Sequence, residues 1–308
     1  MEKSSEFLWF AIEDSKEEWD ALLEPGYEFL FNSNAYLMLN KYKGWSLVGI
    51  VSKDQTFKVG GLCLNNETYE VFIFPANISS DLLTRFLGFL REAGIRELII
   101  HSYGRGVEGY NDIVLNSSSS TERIELVADK LYYDGFSKRS LHNMHRRTIN
   151  KLEKDDGIRL CKVKKYFAYH LFTSYIGKIK RKPYLLCGVK GFISELLHAI
   201  KLGMTVKLRE EFVLYSLIDK NNKRLSYALL LESGSHAYYM LGASTTLGYT
   251  KRASVYLMWL LLNEFCTKGI EFNMGGVNLE NSGDLGVYRF KKQFGLQESK
   301  RISVRLKL

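Results

Sequence analysis

The chain has few of the residues that staple small proteins or hold metals. Its four cysteines, Cys63, Cys161, Cys187 and Cys266, are scattered through 308 residues without C-x-x-C spacing, which argues against a disulfide framework or a metal knuckle. Three of them sit within apolar strand or helix patterns and read as buried free thiols. The six histidines, His101, His142, His145, His170, His198 and His236, show neither H-E-x-x-H nor another metal-ligand spacing, so no metal is expected. Gly104-Arg105-Gly106 lacks the serine of a nucleophile elbow, and no Ser-His-Asp grouping is readable. No stretch approaches the roughly 20 apolar residues that span a bilayer. The apolar run in the charged N-terminal segment is too short for a signal peptide. A cytoplasmic protein without a transmembrane segment is expected.

What the chain does have is enough apolar residue for sizeable cores, 46% of 308, which suits one large or two ordinary domains. It also carries a formal net charge of +9, concentrated at Lys138 to Lys154, at Lys178 to Lys182 and from Arg289 to the C-terminus, while the first thirty or so residues are acidic. Basic patches concentrate anions. Nucleotide-linked substrates, tRNA and an anionic membrane surface are all admissible partners, beside the plainer reading of a solvated basic surface.

The order of elements repeats. An acidic helix near Lys16 to Leu23 precedes Ser46 to Phe74, which reads as three strands broken at Lys53-Asp54-Gln55 and Asn65-Asn66-Glu67, an antiparallel meander. Ser80 caps a helix with Leu82, Leu83, Phe86, Leu87 and Leu90 on its apolar stripe; Ala93-Gly94 ends it, and Ile95 to His101 is a strand. Glu211 to Gly242 gives a second meander, broken at Asp219 to Asn222 and at Glu232 to Ser235, again followed by a helix and a strand. Between the halves, Asn111 to Thr121 reads as a loop, Ile124 to Ala128 as a strand and Ser140 to Lys154 as a basic helix. That helix packs Leu141, Met144, Thr148 and Leu152 and leaves His145, Arg146 and Lys151 free. Lys164 to Ile179 and Lys190 to Leu202 read as further helices, joined across Arg181-Lys182-Pro183. Meander, helix and strand in two copies argue for duplicated α/β units with mixed sheets rather than one doubly wound parallel sheet. The expected domains are 1–135 and 136–308, the second led by the basic helix 140–154.

The stretch from Ala253 to Gly295 organises the second half. A long apolar helix with Val255, Trp259, Leu262 and Phe265 near helical period is expected to be largely buried and to stop at Lys268-Gly269. A strand follows, ending at Gly275-Gly276, where the missing Cβ atoms permit a turn or a close approach to a ligand. A second helix then begins near Leu285 and carries Phe290, Lys291, Phe294 and Gly295. Phe272, Asn273, Gly275 and Gly276 followed by this "FK-x-x-FG" segment resemble the C-terminal half of the Fem-type peptidoglycan aminoacyltransferases and their acetyltransferase-like relatives in the GNAT superfamily. Upstream, Arg146, Arg147, Ile149, Lys151, Glu153 and Lys154 are similar to the family's "RR-x-I-x-K-x-E-K" helix, and Phe31 to Tyr36 gives a weaker match. The pieces occur in the family's order and spacing and cover most of the chain. Asn273 departs from the pattern, which prefers an acid there, and the long helical hairpin of several Fem proteins is missing or short.

The resemblance implies tandem GNAT-like domains and a cytoplasmic acyl- or aminoacyltransferase. Such an enzyme forms an amide between an amine, such as one on a cell-wall precursor, and an activated donor, aminoacyl-tRNA or acyl-CoA, used as co-substrate with no tightly bound cofactor. The other reading is a non-catalytic tandem GNAT-like protein that binds a nucleotide-linked ligand, tRNA or a partner. Lys291 is the candidate catalytic residue, binding phosphate or stabilising a leaving group; alternatively Phe290 and Phe294 form the buried stripe and the lysines point to water. Arg146 and Arg147 are candidate guanidinium forks for an anionic substrate, with Asn273, Gly275 and Gly276 shaping its site. The coenzyme A loop Q/R-x-x-G-x-G/A is absent, but Gly248, Lys251 and Arg252 precede a helix start where a phosphate could bind. Tyr238, Tyr239, Tyr249 and Tyr256 are read as core or rim packing, and Gly60-Gly61 as a bulge rather than a phosphate cradle.

Overall fold

The computed structural model describes residues 6–11, 45–75, 78–102, 113–114, 117–163, 212–232 and 234–308. The expected helices at Lys16 to Leu23, Lys164 to Ile179 and Lys190 to Leu202, the Phe31 to Tyr36 match, Gly104-Arg105-Gly106 and the Lys178 to Lys182 patch lie outside these residues. Two compact units form: residues Met1–Glu125 with Gly276–Leu285 and Glu298–Leu308, and residues Leu126–Gly275 with Gly286–Gln297.

The first unit holds a mixed sheet. β1 (Phe7–Ala11), β2 (Trp45–Ser52), β3 (Lys58–Leu64) and β4 (Thr68–Ile73) pair antiparallel in sequence order. β5 (Glu97–His101) lies parallel to β4, and β12 (Gln297–Lys307), from the C-terminal end of the chain, closes on β5 antiparallel with Ser303 opposite His101. The turns are chemically apt: Gln55, Asn65 and Asn66 take positive φ, the left-handed region that asparagine tolerates better than most residues. The register shifts at Gly60/Gly61, the bulge expected there, and a Cβ on Gly61 would fall 2.1 Å from the Glu70 carbonyl oxygen. The helix Ser80–Glu92 is capped by Ser79, one residue earlier than the sequence suggests, whose hydroxyl accepts from the Leu82 amide. Its Leu83, Phe86 and Leu90 are buried against Phe57, Val71, Leu98 and Ile100. Phe86 and Phe57 meet at 5.0 Å between ring centroids.

The second unit repeats the plan. β7 (Arg159–Lys162) is antiparallel to β8 (Phe212–Ile218), β8 to β9 (Arg224–Glu232), and β9 to β10 (His236–Ser244), while β11 (Glu271–Val277) lies parallel to β10. Strand order in this unit is therefore β11-β10-β9-β8-β7, the counterpart of β5-β4-β3-β2-β1 in the first. Asp219 makes the β8–β9 turn by accepting from the amides of Asn221 and Lys223, an Asx turn. The Ala253–Lys268 helix buries nine side chains, from Ala253 to Phe265, as expected of an apolar helix laid on a sheet. Gly269, at φ 66°, caps it. Phe265 packs on Phe272 and Trp259 on Phe136, each at 5.0 Å.

Two local expectations change. β6 runs from Ser119 to Ala128, five residues longer at its start than expected, because the Ser-rich run reads as loop by composition. The basic helix is Asn143–Glu153, entered through a 3₁₀ turn at Lys138–Ser140. It buries His145, Ile149 and Leu152 and exposes Met144. An uncharged imidazole packs like an aromatic ring once its nitrogens find partners, so His145 replaces Met144 on the buried stripe.

Candidate functional site

In the second unit two neighbouring strands separate. β10 and β11 pair through His236↔Glu271, Ala237↔Phe272 and Tyr238↔Asn273, and their pairing ends there. β10 continues along β9 as far as Ser244, accommodating Met240 as an extra residue between Tyr239 and Leu241. β11 bends at Gly275, which takes φ 79°, a conformation that costs any residue with a Cβ. A Cβ there would also sit 3.1 Å from the Tyr239 carbonyl oxygen. Gly276, by contrast, has ordinary space around it, with Arg123 and Glu125 carbons at 3.6 Å from a built Cβ. Of the glycine pair, only Gly275 is required by the backbone.

A side chain holds each polar group of the Gly275 backbone. Asn273, 5% exposed, accepts from the Gly275 amide through Oδ1 at 2.7 Å, and the Lys291 Nζ donates to the Gly275 carbonyl oxygen at 2.9 Å. Lys291 is buried at 5% exposure, so the alternative in which both lysines point to water does not hold. Lys292, next in sequence, is exposed. Burying an amino group costs free energy unless it is well hydrogen-bonded, and the Gly275 carbonyl supplies one such acceptor. Tyr239 lies beside the separation with its phenol oxygen 1.6 Å from where a Gly242 Cβ would be; the absent side chain makes room for the ring. Burial holds the Tyr239 phenol well above its usual pKa, so it is a hydrogen-bond donor at neutral pH.

The helix Leu285–Lys292 carries Lys291, and the segment that follows is fixed to the basic helix. His145 Nε2 donates to the Phe290 carbonyl oxygen at 3.1 Å, and its ring meets Phe294 edge-on at 4.4 Å. Burial lowers the His145 pKa to about 4, so the imidazole is neutral at pH 7. The His142 amide donates to the Gln293 carbonyl at 3.0 Å and the Tyr132 hydroxyl to the Phe294 carbonyl at 2.8 Å. Gly295, at φ 75°, brings its backbone close to the Ser140 carbonyl. The two sequence motifs, 145 residues apart at His145 and Phe290, thus form one packed body. Arg146 is half-buried with its guanidinium on Asn143 Oδ1, and Arg147 is exposed.

No family model and no curated protein sequence matches the chain. Solved structures do. The crystal structure of FemX superposes with a TM-score of 0.62 at 12% identity, covering 87% of this chain and 90% of that one. L-PGS from Bacillus licheniformis gives 0.57 at 14% identity over 92% and 91%. A tandem GNAT protein from the clavulanic acid biosynthesis pathway gives 0.52 at 9% identity over 98% of both chains. The fold is that of the Fem-like tandem GNAT proteins.

Within this GNAT fold the segment Gly248–Arg252 is built differently from a phosphate cradle. The Gly248 amide already donates to the Thr245 hydroxyl at 3.1 Å, and a Cβ on Gly248 would collide with the Leu225 carbonyl at 1.8 Å. This glycine lets the Thr246–Lys251 turn of helix press on β9. Lys251 pairs with Asp155 at 3.2 Å, and Arg252 takes φ 55° between the two helices. The other expected tyrosines divide as packing residues do: Tyr256 is buried and Tyr249 is 48% exposed.

Sequence reasoning missed a buried hydrogen-bonded row in the first unit. His101 contacts Glu70 Oε1 through Nε2 at 2.8 Å and Ser303 Oγ through Nδ1 at 2.7 Å, and stacks on Phe72 at 5.3 Å. These residues come from β4, β5 and β12, so no local spacing announces them. Burial, opposed by the Glu70 hydrogen bond, lowers the His101 pKa. Among the described residues no group of three or more His, Cys, Asp or Glu side chains is arranged to hold a metal, and no helix is long and apolar enough to cross a membrane.

Proposed function

We propose that this chain is an aminoacyl- or acyltransferase that moves an activated acyl group onto an amine, with the two compact units as its duplicated domains, the first of them completed by residues 276–285 and 298–308, which a division into 1–135 and 136–308 would give to the second. The observation that carries the reading is the Lys291 amino group on the Gly275 carbonyl, at the point where β10 and β11 separate. In the reaction the amine nitrogen attacks the carbonyl carbon of an ester or thioester, an oxyanion develops, and the C–O or C–S bond breaks as the C–N bond forms. The amine gives up a proton, and the leaving group takes one up. The Gly275 amide is held by Asn273, so the oxyanion falls to β10 backbone beyond Tyr238, where β11 no longer pairs with it, and Lys291 as an ammonium stabilises negative charge on the leaving group.

An ester of tRNA is the donor we favour over acyl-CoA. The Gly248 amide is engaged by Thr245 and Lys251 by Asp155, which leaves the Gly248–Arg252 turn poorly suited to a pyrophosphate. Arg146 and Arg147 are the proposed contacts for the anionic, nucleotide-linked acceptor, with Gly275 and Gly276 beside its amine. Asn273 gives no reason to prefer a non-catalytic relative: its side-chain oxygen accepts the Gly275 amide as a carboxylate oxygen would. Such an enzyme works in the cytoplasm, where charged tRNA is found.

The test is to incubate the purified chain with amine-bearing cell-wall precursors and either labelled aminoacyl-tRNA or labelled acetyl-CoA. Amide product from the tRNA donor is expected. Product from acetyl-CoA alone would shift the donor assignment, and no product and no thermal shift with any donor or acceptor would remove the transferase reading.

A further inference from the structure

The first unit brings together a serine, a histidine and a glutamate that the transferase reading leaves unused. Ser303 on β12 stands opposite His101 on β5, with its Oγ 2.7 Å from Nδ1. Glu70, on the neighbouring β4, places Oε1 2.8 Å from Nε2. We infer that Ser303, His101 and Glu70 form a second reaction centre, a serine esterase site for carboxylic esters that carry a negative charge near the reacting carbonyl. The inference does not rest on the proposed function.

The order of the row sets the chemistry. A carboxylate only accepts hydrogen bonds, so Nε2 carries the imidazole proton and donates to Glu70. Nδ1 keeps its lone pair, and the Ser303 hydroxyl donates to it. That is a nucleophile, a general base and an orienting group, each pair within the roughly 2.6–3.2 Å that proton transfer requires. Burial holds His101 below its usual pKa, against the pull of Glu70, so the base is neutral at pH 7. The ring is held in place: it lies between its two partners and stacks on buried Phe72 at 5.3 Å, with the planes 13° apart. His101 is 9% exposed, whereas Ser303 is half-buried. The nucleophile is therefore reachable while the base is shielded from water.

The charges beside the serine are positive. Arg301 and Arg305 lie two residues either side of Ser303 on the same strand face, balanced by Glu125 at 3.2 Å and Glu97 at 2.9 Å. Arg123, exposed on β6, is near enough to His101 to help Arg301 lower its pKa. An exposed guanidinium there suits both the oxyanion and an anionic group on the substrate. In the reaction Ser303 Oγ attacks the ester carbonyl carbon as its proton passes to Nδ1, and the alcohol leaves with that proton. Water then gives a proton to His101 and attacks the acyl-serine. The acid departs as Ser303 takes the proton back.

The experiment treats the full chain with a fluorophosphonate probe, whose phosphorus takes the serine oxygen as fluoride leaves, and maps the adduct by peptide mass spectrometry. Wild type should be labelled at Ser303, and the label should abolish hydrolysis of phenyl acetate. His101→Gln, which lacks the base, and Glu70→Gln, whose amide can donate to Nε2 and move the proton to Nδ1, should each slow labelling on the order of a hundredfold or more. Glu70→Asp keeps a carboxylate and should recover part of that rate, which a contact important only for packing would not predict. Wild type should hydrolyse 3-acetoxybenzoate about tenfold faster than uncharged phenyl acetate, and Arg123→Ala should remove the preference. Melting temperatures check that the variants fold, and mapping the wild-type adduct needs no variant at all. The inference is overturned if wild type carries no adduct at Ser303 or if folded His101→Gln is labelled at the wild-type rate. Equal rates on the two esters would overturn the substrate class. Because labelling and ester hydrolysis are read without an amine acceptor, they stand or fall apart from the transferase reading.

Discussion

Lys291 donates to the carbonyl oxygen of Gly275, sixteen residues earlier, through a buried 2.9 Å hydrogen bond. That bond ties the last helix to the end of β11. Lys291→Ala should therefore destabilise the fold by about 1–3 kcal/mol, the usual cost of leaving a buried acceptor unpaired. Read from sequence as an exposed residue, the same lysine is expected to cost less than about 0.5 kcal/mol when lost. Urea denaturation of Lys291→Ala beside Lys292→Ala separates the two: only the first should lose stability, and equal small losses would mean the bond contributes nothing.

Gly275 and Gly276 should respond unequally to alanine. Gly275→Ala forces a side chain into φ 79° and against the Tyr239 carbonyl, a cost of about 1–3 kcal/mol. Gly276→Ala meets only ordinary contacts and should change the melting temperature little. Thermal melts of the two variants make the comparison, and similar melting temperatures would remove the bend at Gly275 from the account.

His145 makes the fold acid-sensitive. Its folded pKa, about 4, lies below the value near 6.5 of an unfolded histidine. Between those values the unfolded chain binds a proton that the folded chain does not. Stability from this residue is therefore complete above about pH 6.5, falls as pH drops through the window, and is gone below about pH 4. The loss is on the order of 2–3 kcal/mol. His101, also lowered, acts in the same direction, so the diagnostic is the difference between wild type and His145→Asn in denaturation midpoints from pH 7 to pH 4. The variant should show the shallower pH dependence; parallel curves would place the acid sensitivity elsewhere.

The repeated architecture is legible in the sequence because its signals are local: alternating apolar residues in the meanders, Asn65-Asn66 and Asp219 at the turns, and a glycine after each long helix. The joining of β12 to β5 is not, because Ser303 and His101 stand opposite each other across a separation that no periodicity spans. Lys291 is visible as a motif residue, but its burial is not, since a lysine counts as polar until a fold supplies an acceptor such as the Gly275 carbonyl. His145 is missed for a related reason. Its ring packs against Phe294 as an aromatic would, and only the Phe290 carbonyl explains how its nitrogen is satisfied. Gly248 is the converse case: a glycine near a helix start suggests phosphate, and the Leu225 backbone against it gives the same glycine a packing reason that no local pattern announces.

Lys291 is proposed to act on the transferred group, while the neighbouring Lys292 is exposed and does not. Steady-state transfer from aminoacyl-tRNA, measured for Lys291→Met and Lys292→Ala with folding checked by melting temperature, tests it most directly. Lys291→Met should lower kcat on the order of a hundredfold with KM for the donor little changed. Lys292→Ala, at an exposed position, should leave kcat near wild type. Equal kcat in wild type and folded Lys291→Met would contradict it.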